Sequence, residues 1–183
     1  MMKTLEIRRH TMRRKPNAHI MQEGIKLAND IGLTMDEFDL VVTSKKIRAF
    51  ETAIAMGYEV HNKYADLGNL PTPVFNEISW PNKFINIANI VSNNQASRNL
   101  AKKQLSLWLN IAEQLPKNAK GLIISHGGII ELASVLASPN SNFYRWGGAL
   151  GYCEGIKLLY NDGIFQEAKL LRLPDEKRII SND

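Results

Sequence analysis

Residues 121–125, Gly-Leu-Ile-Ile-Ser, form an unbroken apolar run that ends on His126-Gly127-Gly128 and leads into Ile129, Ile130, Ala133 and Leu136 at helical spacing. An unbroken run has no polar face to turn toward water, so as a strand it requires cover on both sides. A doubly covered strand followed at once by a helix is the repeating unit of a parallel α/β sheet. The same order occurs twice upstream. Leu5 and Ile7 alternate with polar neighbours over residues 3–8, a first strand that ends at Arg9-His10. Ile20, Leu27, Ala28 and Ile31 then share one helical stripe over residues 20–31, with Gly32 as the stop. Residues 38–43 are a second short strand, and Ser44 is the expected cap of a helix that carries Ile47, Phe50 and Ile54 on one face. The expected fold is α/β: a three-layer sandwich with a mainly parallel central sheet flanked by helices, and a helical and loop insert over the site.

Periodicity fails from about residue 61 to 82, where Pro71, Pro73 and Pro81 punctuate what reads as a long functional loop. Leu100, Leu107, Trp108, Ile111 and Leu115 restore a helical period over residues 96–115, which Pro116 ends. The runs 152–160 and 165–173, joined by Asn161-Asp162-Gly163, read as a closing hairpin. With 183 residues there is material for one sizeable core, so residues 1–183 are expected to form a single domain with 61–118 as its insert or cap.

Hydrophobic residues make up 44% of the chain and charged residues 22%, a globular balance. No apolar run approaches the roughly 18 residues that span a bilayer, and Met1-Met2-Lys3 passes directly into charged sequence without a secretory apolar core. The one cysteine, Cys153, reads as a buried thiol and supports neither an internal disulfide nor a metal cluster. A cytoplasmic protein with no membrane partner and no metal is expected. The net charge of +5 favours anionic partners. Basic residues are not interleaved with aromatics on one element, which argues against nucleic acid. The densest basic run, Arg8, Arg9, Arg13, Arg14 and Lys15, surrounds His10 instead, and points to a small anion.

Ligands of such sheets bind beyond the carboxyl ends of the strands. Arg9-His10, Arg48 and His126 all fall on that rim. Two histidines with fixed guanidinium charge suit phosphoryl transfer, which requires an aligned nucleophile and positive charge around the equatorial oxygens. A neutral His10 imidazole serves as nucleophile if its other nitrogen is held as a donor, and neighbouring arginines oppose its protonation. Arg9 and Arg48 supply bidentate donors that stay charged. His126 adds a donor, and the amides of Gly127 and Gly128 at a helix start add partial positive charge.

Arg9-His10-Thr11, the run Ser44-Lys45-Lys46-Ile47-Arg48-Ala49-Phe50-Glu51-Thr52-Ala53, and Ser125-His126-Gly127-Gly128 resemble, in order and spacing, the successive motifs of the histidine phosphatase superfamily. Residues 3–60 and 119–137 carry the resemblance, and Met21-Gln22-Glu23-Gly24 agrees with that family's first helix. The resemblance implies that His10 is the nucleophile, that Arg9, Arg48, His126 and Gly127 hold phosphate, and that no cofactor is needed. It also implies an acid in the insert that protonates the leaving oxygen. Glu77 is the residue assigned to that role, against the alternative of a solvated loop glutamate. Thr11 stands where the family has glycine, and either narrows the pocket or hydrogen-bonds phosphate. Arg13 is either a further phosphate ligand or a surface charge.

His19 and His61 are read as structural or surface residues, and Trp80 and Trp146 as aromatic packing with the substrate mouth as the alternative. Ser125 lacks the Gly-x-Ser-x-Gly elbow of a serine hydrolase. The expected activity is hydrolysis of small phosphate monoesters through a phosphohistidine on His10, with phosphate or sulfate as pocket ligands. A phosphomutase, or a weakly catalytic domain that binds a phosphorylated ligand, is the alternative. The short tail after residue 173 favours hydrolysis over mutase chemistry.

Overall fold

The computed structural model describes residues 2–181. Its centre is a six-stranded sheet of β1 (Lys3–Arg9), β2 (Leu40–Ser44), β3 (Asn62–Tyr64), β4 (Lys120–Ser125), β5 (Gly155–Asn161) and β6 (Ile164–Leu171), in the order β3-β2-β4-β1-β5-β6. β1 to β4 are mutually parallel, and the hairpin β5–β6 joins antiparallel to β1. The α/β expectation holds, as does the closing hairpin.

Alternation along the strands divides the core into two faces. Val41, Leu122 and Ile124 pack with Ala28 and Ile31 of α1 (Gln22–Gly32) and with Ala49 and Ala53 of α2 (Ile47–Ala55). Val42, Ile123, Leu5 and Ile7 face the other way, toward α3 (Thr72–Ile78), α4 (Phe84–Asn93), α5 (Gln95–Gln114) and α6 (Ile129–Ala137). Ile123 and Ile124, adjacent in sequence, thus anchor opposite layers, each contributing about 1.5–3 kcal/mol by burial. This is the physical content of the unbroken apolar run. Trp108 of α5 lies wholly in the core.

Two readings are corrected. Residues 61–82 are not a loop: β3 pairs with β2, residues 65–68 make a 3-10 turn, and Pro71 and Pro73 stand at the start of α3. Proline breaks a helix interior but fits its first turn, where no amide donor is required. α2 does not bury Ile47, Phe50 and Ile54. Ala49, Thr52 and Ala53 face inward and Ile54 is about half exposed, because small side chains let α2 approach the sheet. Gly32 ends α1 as expected, and close approach requires a glycine there: a Cβ would stand 2.1 Å from the Met56 carbonyl oxygen. The short α7 (Phe143–Trp146) follows α6 and packs Trp146 edge-on against Phe84 and Phe143. No helix among the described residues is long and apolar enough to cross a membrane.

Candidate active site

The sheet order brings β2, β4 and β1 side by side, and their carboxyl ends deliver three polar residues to one place. Arg9 is in register with Ser125, so the next residues, His10 and His126, leave the sheet together with ring centroids 4.9 Å apart. Thr43 is in register with Ile124, which places Ser44 beside them, its Oγ 2.7 Å from His126 Nε2. A cavity of about 460 Å³ opens over these residues. Arg9, His10, Arg48, His126 and Gly127 line it, joined by Lys15, Lys46, Gly68, Leu70, Phe75, Trp80, Ile129 and Ser181.

Two hydrogen bonds fix the protonation of His10. Arg48 Nε lies 3.1 Å from His10 Nε2. A guanidinium nitrogen only donates, so Nε2 accepts and carries a lone pair. The proton therefore sits on Nδ1, which donates to the Thr11 carbonyl at 2.7 Å. Burial holds the His10 pKa well below its ordinary 6.5, and His126, Arg9 and Arg48 act in the same direction against the opposing Thr11 carbonyl. The His126 pKa is also lowered by burial, with help from Arg48, Lys46, Arg9 and Arg13. Both rings are neutral at pH 7.

Arg9 is clamped rather than free to swing. Its guanidinium lies between the rings of Trp80 and Tyr152, 4.5 and 4.1 Å from their centroids, and it donates to the carbonyls of Leu150 and Ser181. Stacking and fixed acceptors hold the plane of the fork in place. Trp80 is in turn held through its Nε1, which donates to Glu131 at 3.0 Å. The fully buried Glu131 also accepts the amides of Gly128 and Leu150 at 2.7 and 2.9 Å. One carboxylate therefore joins the Gly127-Gly128 turn, Trp80 and the segment that receives Arg9. This commits the Gly128 amide to Glu131, and leaves Gly127 as the glycine at the cavity wall.

Two residues read as site members are placed elsewhere. Thr11 neither narrows the cavity nor faces it: its hydroxyl donates to the Gly24 carbonyl, its amide donates to Thr52, and it is wholly buried against α1 and α2. Glu77 is exposed on α3 and is not among the cavity-lining residues, whereas Phe75 is. Residues two apart on a helix point about 200° apart, so the wall that presents Phe75 turns Glu77 outward. No carboxylate lines the cavity among the described residues. Arg13 lies beside the cavity, donating to the Asn17 carbonyl, and contributes charge toward His126. Ser44 does not cap α2, whose N-cap is Lys46 without a side-chain cap; it holds His126 instead. Trp80 is a wall of the cavity, while Trp146 serves packing. His19 is exposed beside Glu51, and the His61 ring accepts the Val41 amide. Glu131 escaped the sequence reading, although a lone glutamate in the apolar series 129–137 signals a buried acceptor.

Among the described residues no group of three or more histidine, cysteine, aspartate or glutamate side chains gathers as a metal site. No family model matches the chain, and no curated protein matches it. Solved structures do resemble it. A phosphoserine phosphatase from Entamoeba histolytica is 15% identical with TM-score 0.69, over 93% of this chain and 98% of that one. A mycobacterial glucosyl-3-phosphoglycerate phosphatase is 16% identical with TM-score 0.64, over 93% and 97%. A phosphoglycerate mutase from Bacillus anthracis is 16% identical with TM-score 0.64, over 90% and 91%. At these identities the likeness is one of architecture: the chain shares the phosphoglycerate mutase-like fold of these structures.

Proposed function

We propose that this protein is a phosphatase that hydrolyses small phosphate monoesters through a covalent phosphohistidine on His10. The observation that carries the reading is the pair of hydrogen bonds that places the lone pair on His10 Nε2 and the proton on Nδ1. A nucleophilic imidazole needs that tautomer. Arg9, Arg48, His126 and Gly127 surround the place where the phosphoryl oxygens would sit. The fold adds support, since its solved examples include two phosphatases, and the E. histolytica enzyme has been crystallised with 3-phosphoglyceric acid and, as a variant, with phosphoserine.

In the first step Arg48 passes from the His10 lone pair to a phosphoryl oxygen, Nε2 bonds to phosphorus, and the ester P–O bond breaks with its electron pair on the leaving oxygen. In the second, water attacks phosphorus and the P–N bond breaks, releasing inorganic phosphate and restoring His10. Solvent water protonates the leaving oxygen in the first step, and the hydroxide so formed takes up the proton lost by the attacking water in the second. Imidazole, guanidinium and water suffice for both steps. Glu77 has no part in them.

A phosphomutase is the alternative within the fold, as one neighbour is. Exposed Lys46, Phe75 and Ser181 on the lining favour water as the acceptor. We also place the activity in the cytoplasm, where the single buried Cys153 thiol would stay reduced.

Incubation with a radiolabelled aryl phosphate, followed by denaturation in alkali, in which phosphohistidine survives, should trap label on His10 and release inorganic phosphate. Label on another residue, or turnover undiminished in His10→Ala, would overturn the mechanism. Transfer of label to an added alcohol in place of water would favour the mutase.

A further inference from the structure

β6 ends the sheet and pairs with β5 alone. The direction of its free backbone groups follows from the ladder. The Thr4 and His10 amides donate to the carbonyls of Ala119 and Ser125, toward β4, and the Arg9 amide donates to the Glu154 carbonyl, toward β5. Backbone groups alternate in direction along a strand, so Leu5 and Ile7 also address β5, where they stand opposite Leu158 and Ile156. Lys157 and Leu159 then turn to β6 and meet Lys169 and Glu167. Ala168 and Leu170 are left with amide and carbonyl directed away from the sheet, and the backbone of neither has a partner on that side among the described residues.

An open edge recruits further strands, and charge or a bulge commonly blunts it. β6 has both, in an arrangement that selects its partner. The bulge is at Gln166, between the pairs Leu159–Glu167 and Tyr160–Phe165, so residues 167–171 stay regular. The charges are Glu167 and Lys169, both exposed, of opposite sign and two apart, hence on one face of the strand. On the other face, where Phe165 and Ala168 pack toward the helices, a cavity of about 520 Å³ opens between β6, α5 and the end of α6, with Leu105, Leu109, Leu136 and the exposed Ile164 in its walls.

We propose that β6 is the interface of a homodimer, in which it pairs antiparallel with β6 of a second copy about a two-fold axis at Ala168. A two-fold axis perpendicular to the sheet keeps the helices of both copies on matching sides, and it then passes through a residue of β6. At Ala168 it sets Glu167 opposite Lys169 of the second copy and Lys169 opposite Glu167 of the second copy, while the outward amide and carbonyl of Ala168 exchange hydrogen bonds with their copies. At Glu167 or Lys169 it would oppose like charges, which destabilises a cross-strand pair. Charge therefore selects one register. Glu167 and Lys169 give their backbone bonds to β5, so across the new edge they form non-hydrogen-bonded pairs, in which side chains come closest. The same axis sets the two apolar cavities side by side on the helical face, where each shelters the other from water. No residue of β6 lines the cavity over His10, so the dimer is independent of the phosphatase reading.

Sedimentation equilibrium of the full chain, from micromolar to millimolar concentration, should show a monomer–dimer equilibrium. Glu167→Lys sets a lysine against Lys169, and Lys169→Glu sets a glutamate against Glu167. The two-fold axis repeats each change, so either variant alone should raise the dimer Kd about tenfold or more. An equimolar mixture of the two variants should associate as a heterodimer, since opposite charges then face each other again, and the double variant should recover the homodimer. Added salt should weaken the wild-type dimer and strengthen association of either single variant. Both positions are exposed, so far-ultraviolet circular dichroism should be unchanged throughout. A wild-type chain that stays monomeric at millimolar concentration overturns the inference, as does a dimer whose Kd ignores both single variants, or a mixture of them that associates no better than each alone.

Discussion

Ser44 Oγ lies 2.7 Å from Nε2 of His126, while the other ring nitrogen of that histidine, Nδ1, is buried without a hydrogen-bond partner among the described residues. The Lys46 amide also points at the Ser44 oxygen, 3.3 Å away. With that amide donating to Oγ, the hydroxyl proton is directed to Nε2, and Nδ1–H is left as the donor for a phosphoryl oxygen. Ser44→Ala should therefore weaken competitive inhibition by inorganic phosphate about three- to tenfold, the value of one modest hydrogen bond. Nitrogen NMR should show Nδ1 as the protonated site of His126 in wild type and a tautomer mixture in the variant. An unchanged inhibition constant would remove Ser44 from the phosphate site.

The two lowered histidine pKa values set a pH dependence. Both lie below the ordinary value of 6.5 in the folded chain. As pH falls through that value, the unfolded chain takes up protons that the folded chain refuses. Stability is therefore full above pH 6.5 and declines as pH falls from 6.5 toward the lowered values. The Tm should drop over this range, and less so in a His10→Asn, His126→Asn double variant. The acid limb of kcat/KM in wild type should likewise lie below pH 6.5, since neutral His10 is the reactive form.

Glu77 and Glu131 should behave oppositely. Glu77→Gln alters an exposed residue outside the cavity, so kcat/KM should stay within about twofold of wild type. Glu131→Gln replaces a buried carboxylate that accepts three N–H donors with an amide bearing only one acceptor oxygen. At least one donor then faces an NH₂ group, at a cost of about 1–3 kcal/mol. Urea denaturation should record that loss, and kcat/KM should fall as Arg9 loses its support.

Gly127 lies under the Trp80 indole, and a Cβ there would stand 2.5 Å from the ring. At that distance something must shift, and the nearest atoms are those of the ring, so Gly127→Ala should push Trp80 away from the Arg9 guanidinium it covers. Activity should fall more than tenfold and Trp80 fluorescence should change. Retention of activity would show that Arg9 holds phosphate without the stack.

The strands and helices that carry the motifs were legible because burial imposes its own period. Ile123 and Ile124 had to face opposite layers, and Trp108 had to follow the helical stripe of α5. Residues 61–93 were not, because the α3 prolines read as breakers when their position in the first turn makes them starters. α2 was rotated in the reading because Ala49 and Ala53 carry little hydrophobic signal next to Phe50 and Ile54, yet small size is what close approach selects.

The sequence by itself determined the sheet-and-helix order and the strand ends at which His10, Arg48 and His126 stand, since these follow from local pattern. Only the tertiary structure decided what those residues do to one another. Adjacency of β2, β4 and β1 put Ser44 on His126, and the rotation of α2 put Arg48 on the His10 lone pair. The turn of α3 brought Phe75 to the wall and sent Glu77 to solvent. Such relations depend on three-dimensional direction between segments far apart in the chain, and a one-dimensional pattern of polar and apolar residues does not encode direction.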